Sequence, residues 1–490
     1  MPVECVEETH SVELRYIQLK LVGLKINTFI LNFSSKAILT GITVLLVLIW
    51  FTKKKRNSRY PPGPISLPLV GNALQLGSDP SRVLQKWAAE YGPIYSIRMG
   101  TEDTIVLNDP KLVKELFSNP NSTGRAPDPI LHILGRGSGI IISQGHIWES
   151  QRRFTLRKLR DVGVLKSSID GFLMEEVTTM INFFMRNVGI PLSGTGLFNG
   201  PIVNALWRIV AGETNDWTLP DKPEILKSAE RLMESLNQTV KSGLFFAPPL
   251  RHIAPGDFID HFLVEMRETQ DPTSTFYLEK RTKNLLATVG DLFLAGSETS
   301  SYTLTFAILY LSQNMETQRK AQLEMDRVVG SSRQISLADR ASLPYNEAII
   351  LETLRLSSVA PLGVPHRLLT DIEFHGFFLP KGVSVISNLY TIHHDPKIWG
   401  EDVNEFRPER FLNEDESEVV CHEALVAFSA GRRVCLGESL ARDSLFLFIA
   451  SILQKFNILP DPDCPIANME TMSGIVVEPM PFKFVLKLRE

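Results

Sequence analysis

The sequence predicts a mainly α-helical fold with a minor β part, built as a single large domain behind an N-terminal transmembrane anchor. Three observations carry this expectation. Most of residues 80–320 place apolar side chains at helical spacing, as in SRVLQKWAAEYG and PEILKSAERLMESLNQTV. Short alternating stretches, IYSIRMG near the start and DIEFHGFFLP and GVSVISN in the last third, read as strands. The run ILNFSSKAILTGITVLLVLIWF, residues 30–51, holds 22 residues with one charge, Lys36, near one end.

A helix of about 20 apolar residues crosses a bilayer, and a lysine near its end reaches the interface. KKKR at 53–56, with Arg59 beyond, follows the run at once. Basic flanks stay cytoplasmic, so the body should face the cytosol. A cleaved signal peptide is the competing reading; the depth of the run and the want of a small-residue cleavage site oppose it. The expected division is residues 1–29 without a readable motif, 30–52 the anchor, 53–72 a basic and proline-rich linker, and 73–490 the body. In YPPGPISLPLVGN the prolines fix φ and remove backbone donors, which gives either a stiff spacer that sets orientation or an ordinary linker.

The 490 residues are 44% hydrophobic and 22% charged, ample for a sizeable core. A net charge of −4 lacks the global basic field of a nucleic-acid binder, so no nucleic-acid partner is expected. Cys5, Cys421, Cys435 and Cys464 form no CxxC or zinc-type spacing, and so few thiols suit a reducing compartment. No internal repeat or low-complexity tract is present.

FSAGRRVCLG, residues 428–437, sets Cys435 where a glycine-flanked loop feeds the helix ESLARDSLFLFIASILQKF. The free N–H groups and dipole of that terminus favour an anion, and a positive setting or a metal holds a thiol deprotonated. Cys435 is thus a candidate ligand or nucleophile, with a buried small hydrophobe as the alternative. Residues 283–314, apolar on nearly every side, form a helix that crosses the core; Asp291, Glu298 and the mid-helix hydroxyls argue against a second membrane span. Within its AGSETS, Gly296 allows close approach to the backbone, and Glu298 and Thr299 offer a carboxylate and a hydroxyl for proton relay. The competing reading, which the residues alone favour, has Thr299 bonding back to an i−4 carbonyl.

Glu352 and Arg355 in NEAIILETLRLSS share a helix face with Tyr345 and Ala348, a face that continues to Val359; a buried pair there needs a third partner, for which Arg410 in FRPERFL is a candidate. Trp148 and Arg152 in HIWESQRRF lie at i, i+4, where an indole N–H and a guanidinium suit an anionic oxygen; a core tryptophan beside a surface arginine is the commoner alternative.

Taken in this order, these residues resemble the cytochrome P-450 family of haem-thiolate monooxygenases over nearly all of residues 60–490. The family's cysteine loop F-x-x-G-x-R-x-C-x-G falls on Phe428, Gly431, Arg433, Cys435 and Gly437; E-x-x-R on Glu352 and Arg355; P-E-R-F on Pro408 to Phe411; A-G-x-[DE]-T-[ST] on Ala295 to Ser300; and W-x-x-x-R on Trp148 and Arg152. The PPGP hinge and QRRFTLRKLRD are similar to the animal microsomal branch. The resemblance implies the P-450 fold, haem b (iron protoporphyrin IX) with Cys435 as axial thiolate, and an endoplasmic reticulum location. It implies that Trp148, Arg152, His366 and Arg433, joined by Arg125, hold the propionates. Phe428 would pack on the thiolate side, Gly431 and Gly437 would let backbone approach sulfur, and Ala295 and Gly296 would face the cofactor. Glu298 and Thr299 would deliver protons to bound dioxygen. Electrons would come from NADPH through a reductase, with cytochrome b5 as an optional second donor; Arg432 and Arg442 are candidate docking charges.

One departure stands out. LFFAPPLRHIAP, residues 244–255, runs straight into GDFIDHFLVEM, so the interval that holds two long roof helices in the family is shorter by about one. Substrate contacts are expected from the loop after Arg125, from Ala287 to Ala295, from SSVAPLGVP and from METMSGIVVEPMPF. Val359, Leu362, Ile475 and Val476 among them suit a lipophilic small molecule: a steroid, terpenoid hormone, fatty acid or xenobiotic. The alternative functions are a haem-thiolate isomerase or dehydratase, against which Glu298 and Thr299 weigh, and a haem-binding protein deficient in turnover.

Overall fold

The computed structural model describes residues 58–125, 137–164, 168–218 and 273–489, together with positions 40, 41, 262, 265, 266 and 269–271. The N-terminal 29 residues, the anchor apart from positions 40 and 41, the KKKR run, PEILKSAERLMESLNQTV and nearly all of the shortened interval at 244–266 lie outside the described residues. Among the described residues no helix is long and apolar enough to cross a membrane.

Local sequence explains where the helices begin. Helices α1 (Pro80–Tyr91) and α2 (Pro110–Ser118) open on proline at the first turn, where its missing N–H costs nothing. Aspartate caps precede both: Asp79 accepts from the Arg82 N–H at 3.3 Å, and Asp109 from Lys111 and Leu112 at 2.8 and 3.0 Å. Then come α3 (Gly145–Asp161), α4 (Ser168–Arg186), α5 (Asn199–Ala211), α6 (Leu278–Gln313), α7 (Met315–Val328), α8 (Pro344–Ser357) and α9 (Glu438–Lys455). At 36 residues α6 is about 54 Å long, as its unbroken apolar pattern requires. Helix α9 is buried at every position from Ser444 to Gln454, and α6 packs against α5, α8 and α9.

The β part sets the register of the site. Strands β1 (Ile94–Met99), β2 (Glu102–Leu107), β3 (Gly124–Arg125), β4 (Leu192–Ser193), β5 (His366–Arg367), β6 (Ser384–Ser387), β7 (Phe456–Pro460) and β8 (Lys483–Leu488) form two sheets. One has the order β1-β2-β6-β5-β3, parallel only between β2 and β6; the other has the order β4-β8-β7. Pairing of β3 with β5 puts Arg125 directly opposite His366. DIEFHGFFLP folds as a separate hairpin turning at His375 and Gly376, both at positive φ. The proline segment lies against β1 instead of hanging free: Ser96 donates from N to Pro62 O at 2.7 Å and from Oγ to Pro61 O at 2.9 Å.

Behind α8 the charged pair is fully enclosed. Glu352 and Arg355 are both 0% exposed and joined by two bonds of 2.7 and 2.8 Å. Arg355 also donates to His393 O at 2.8 Å, while Glu352 accepts from the Arg407 N–H at 3.0 Å and from Arg410 Nε at 3.3 Å. Arg410 is therefore the third partner that the sequence required, and it continues to Asp402 at 2.9 Å. Removing one member leaves a charge stranded in the core, so Glu352→Ala should destabilise the fold by about 3–5 kcal/mol. Denaturant unfolding measures this; a loss under 1 kcal/mol would mean the network is dispensable.

Burial pushes His394 down to about 4, with Arg355 and Arg82 adding repulsion against Tyr390 and Leu356 carbonyls that favour the proton. The unfolded chain takes this proton below its ordinary 6.5, whereas the folded protein resists it until about 4. Its contribution is thus complete above pH 6.5 and lost as pH falls toward 4, amounting to about 2 kcal/mol by pH 5. Thermal melts at pH 7 and 5 should show a smaller acid loss in His394→Gln than in the wild type; equal losses would contradict this assignment.

Candidate functional site

The cysteine loop is built as a turn that delivers sulfur to a helix terminus. Cys435 N–H donates to Phe428 O at 3.0 Å, closing the loop over a tight turn at Gly431–Arg433. Gly437 is the N-cap of α9, and its own missing Cβ position lies 4.0 Å from Cys435 Sγ. Cys435 keeps an exposed face but is otherwise desolvated. Burial pushes its thiol up, as does the Glu438 carboxylate; the N–H groups of Gly437 and Glu438 and the Arg152 guanidinium pull it down. A cation facing the sulfur would tip this balance toward thiolate.

Gly431 also has a packing part. At φ 72° its missing Cβ would sit 2.1 Å from Phe117 O, so this glycine lets the loop meet the end of α2. Phe428 lies under the Arg442 guanidinium at 5.3 Å, and Arg442 is tied to Glu438 at 3.1 Å. Arg432 is exposed.

Four basic side chains converge beside the loop. Arg433, 6% exposed, donates to Thr123 O at 2.8 and 3.0 Å, to Ile140 O at 3.0 Å and to Ser143 O at 2.6 Å, and stacks 3.9 Å above the Trp148 ring. Arg125 donates to Ile141 O at 2.8 Å and to Val364 and Pro365 carbonyls at 3.2 Å. Arg152 donates to Val434 O at 2.8 Å. His366 stacks on Phe117 at 3.7 Å, with Nδ1 2.8 Å from Ser122 O. The partners are carbonyls, which orient guanidiniums without neutralising them.

The cost appears in the acidities. Burial and the Arg125 and Arg152 charges pull Arg433 down to about 8. Burial, then Arg152, lowers Arg125 to about 10, with Asp291 opposing. Burial, then Arg125, holds His366 near 3, so its imidazole is neutral. Trp148 is 4% exposed, and its indole Nε1 has no hydrogen-bond partner among the described residues. An orphaned donor among repelling cations marks a place made for anionic oxygens.

Helix α6 supplies the opposing chemistry. Ala295 is exposed although it sits mid-helix in the core, so it borders open space. Thr299 Oγ1 donates to Ala295 O at 2.6 Å, the i−4 bond weighed above, and Glu298 is buried at 9% exposure. Gly296 turns away: its missing Cβ would meet the Leu206 side chain at 3.0 Å, so it serves α6–α5 packing. Asp291 and Asn284, unassigned from sequence, bind the loop that carries Ile140; their signal was polar groups on an otherwise apolar helix.

Comparison with known proteins agrees with this geometry. The family profile "Cytochrome P450" matches residues 61–257 and 250–486. The chain is similar to cytochrome P450 2J5 of Mus musculus, 31% identical across 91% of this chain and 95% of that protein. It is also similar to farnesoate epoxidase of Bombyx mori, 31% identical across 92% and 99%, and to cytochrome P450 2J3 of Rattus norvegicus, 34% identical across 87% and 91%. A cysteine beside a cluster of buried cations suits a haem-thiolate oxidoreductase. The chain belongs to the cytochrome P450 family, of the animal microsomal type, and hence to the haem-dependent monooxygenases.

The residues fit the group that membership implies. Two propionate carboxylates would neutralise the arginines and engage the Trp148 N–H. Trp148→Phe keeps the ring under Arg433 and removes only that donor. Haem retention, followed by transfer to apomyoglobin, should weaken roughly tenfold, the worth of one hydrogen bond to a charged group; unchanged retention would place the indole elsewhere.

Proposed function

We propose that this protein is a membrane-anchored monooxygenase that inserts one atom of dioxygen into a lipophilic small molecule. Electrons would come from an NADPH-dependent reductase, with cytochrome b5 as an optional second donor. The observation that carries this reading is the cation cluster of Arg125, Arg152 and Arg433 beside the open face of Cys435. Haem, when bound, supplies the oxygen-activating iron. In this reading Cys435 is the metal ligand, held near the N-terminus of α9 where backbone N–H groups support its negative charge. Arg125, Arg152, Arg433, His366 and Trp148 hold the carboxylates; Phe428 and Gly437 shape the sulfur side. Ala295 leaves room beside α6, and Thr299 with Glu298 carries protons to the oxygen site. Arg432 remains an exposed candidate for reductase docking, while the Arg442–Glu438 pair makes Arg442 a weaker one.

The anchor at 30–52, followed by its basic flank, supports an endoplasmic reticulum location with the body facing the cytosol. Likeness to a farnesoate epoxidase and the apolar segments around Val359 and Val476 make an unsaturated lipophilic acid such as farnesoate the first substrate to try.

A second reading, a haem-binding protein deficient in turnover, has one observation in its favour. The family match breaks into two stretches that share residues 250–257, inside the interval where the sequence is short by about one roof helix. The test is direct. Purified protein should give a strongly red-shifted Soret band in the reduced carbon monoxide complex, lost in Cys435→Ala, and with reductase and NADPH should oxygenate farnesoate or another member of a lipophilic panel. The thiolate spectrum without any product would favour the second reading; a histidine-type spectrum would overturn both.

A further inference from the structure

Residues 139–143 form a strap whose two sets of backbone groups serve different masters. Its N–H groups point to α6: Gly139 donates to Asn284 Oδ1 at 3.2 Å, and Ile140 and Ile141 both donate to Asp291 Oδ2, at 2.5 and 2.9 Å. Its carbonyls point to the cation cluster: Ile140 O and Ser143 O accept from Arg433, and Ile141 O accepts from Arg125. Ser143 Oγ closes the strap onto Gly139 O at 2.5 Å. Gly139 is obligatory here, because at φ 75° its missing Cβ would lie 2.4 Å from Asp291 Oδ2.

We infer that Asp291 is a positioning residue for cofactor retention: through the strap it fixes the two guanidiniums, Arg125 and Arg433, that grip the haem carboxylates. The inference rests on the haem-holding role proposed for those arginines and deepens it. The chemistry favours a carboxylate at this place. One anionic oxygen accepts two adjacent amide N–H groups, which an Asn amide nitrogen facing them would repel. Accepting from the Ile141 N–H also polarises the Ile140 carbonyl of the same peptide unit, which strengthens its bond from Arg433 on the far side. Asp291 further faces Arg125, a charge of opposite sign. Burial holds its carboxyl up at about 6 against the Ile140 and Ile141 N–H groups and Arg125, so it is largely ionised at neutral pH. Asp291, Ala295 and Thr299 recur at i, i+4 and i+8, so one face of α6 carries both the strap and the oxygen-facing residues.

The experiment compares the wild-type holoprotein with Asp291→Asn and Asn284→Ala. Two quantities are followed: amide hydrogen exchange at Gly139, Ile140 and Ile141, and haem loss to apomyoglobin. Asp291→Asn should speed exchange of both amides and accelerate haem loss about tenfold, while the bound fraction keeps its thiolate spectrum. Asn284→Ala, the gentler change, should loosen the Gly139 amide and speed haem loss two- to threefold; it decides the matter where Asp291→Asn does not fold. The inference is overturned when the strap amides exchange freely yet haem loss stays within twofold of wild type. It is equally overturned when haem loss rises with strap exchange unchanged. A wild-type protein that holds no haem, or holds it without the thiolate spectrum, would instead sink the reading on which the inference rests, and the two failures are told apart by that control.

Discussion

Burying like charges around one loop is the constraint on which the rest of this structure depends. Arg125, Arg152 and Arg433 repel one another, and each is also penalised by loss of water. Carbonyls of Thr123, Ile140, Ile141, Ser143 and Val434 satisfy their N–H groups without supplying negative charge. Hydrogen bonding alone therefore leaves an electrostatic deficit, which a dianionic ligand removes. A fold that carries such a deficit is less stable empty than loaded, because a ligand bound by the native state alone shifts the folding equilibrium. The contrast with Glu352, Arg355 and Arg410 is instructive: there the charges are also buried, but they are paired inside the chain, and Arg410 continues to the partly exposed Asp402. One cluster is self-sufficient and holds the core. The other is incomplete without a partner.

The same logic places Cys435. Its thiol is desolvated on most sides, which disfavours the charged form, yet two backbone N–H groups and Arg152 favour it. Opposed effects of this kind keep the sulfur short of full ionisation by the protein itself. A metal cation on its open face would supply the remaining stabilisation, so ligation and deprotonation become one event.

Much of this was legible in the sequence because it follows local rules. Proline behind an aspartate marks where α1 and α2 start, and the long pattern without a breaker gives α6. Glu352 and Arg355 at i, i+3 demanded a third partner, and Arg410 answers. The parts that escaped are set by tertiary contact. Gly296 and Gly431 look like openings toward a ligand when read along the chain. In space each is filled by a neighbour, Leu206 in one case and Phe117 in the other. Asp291 reads as a lone charge on an apolar helix until the strap at 139–143, about 150 residues away in sequence, folds against it.

Helix α6 shows how these pieces are kept in register. Gly296 lets the Leu206 side chain of α5 approach closely, and Ser301 Oγ donates to Asn199 at the start of α5 at 2.5 Å. Rotation or sliding of α6 would force a Cβ-free surface out of its slot and break that bond, so its azimuth is fixed from the α5 side. Fixing the azimuth fixes every residue on the other face at once: Asp291 under the strap, Ala295 at the open space, and Thr299 with its hydroxyl bonded back to Ala295. The bonding-back that opposed a proton-carrying role for Thr299 is compatible with it, because a hydroxyl that donates to a carbonyl still offers lone pairs to an incoming donor. On the proposed reading the helix would join proton delivery and cofactor grip through one rigid face, so that packing between α5 and α6 would set the geometry of both.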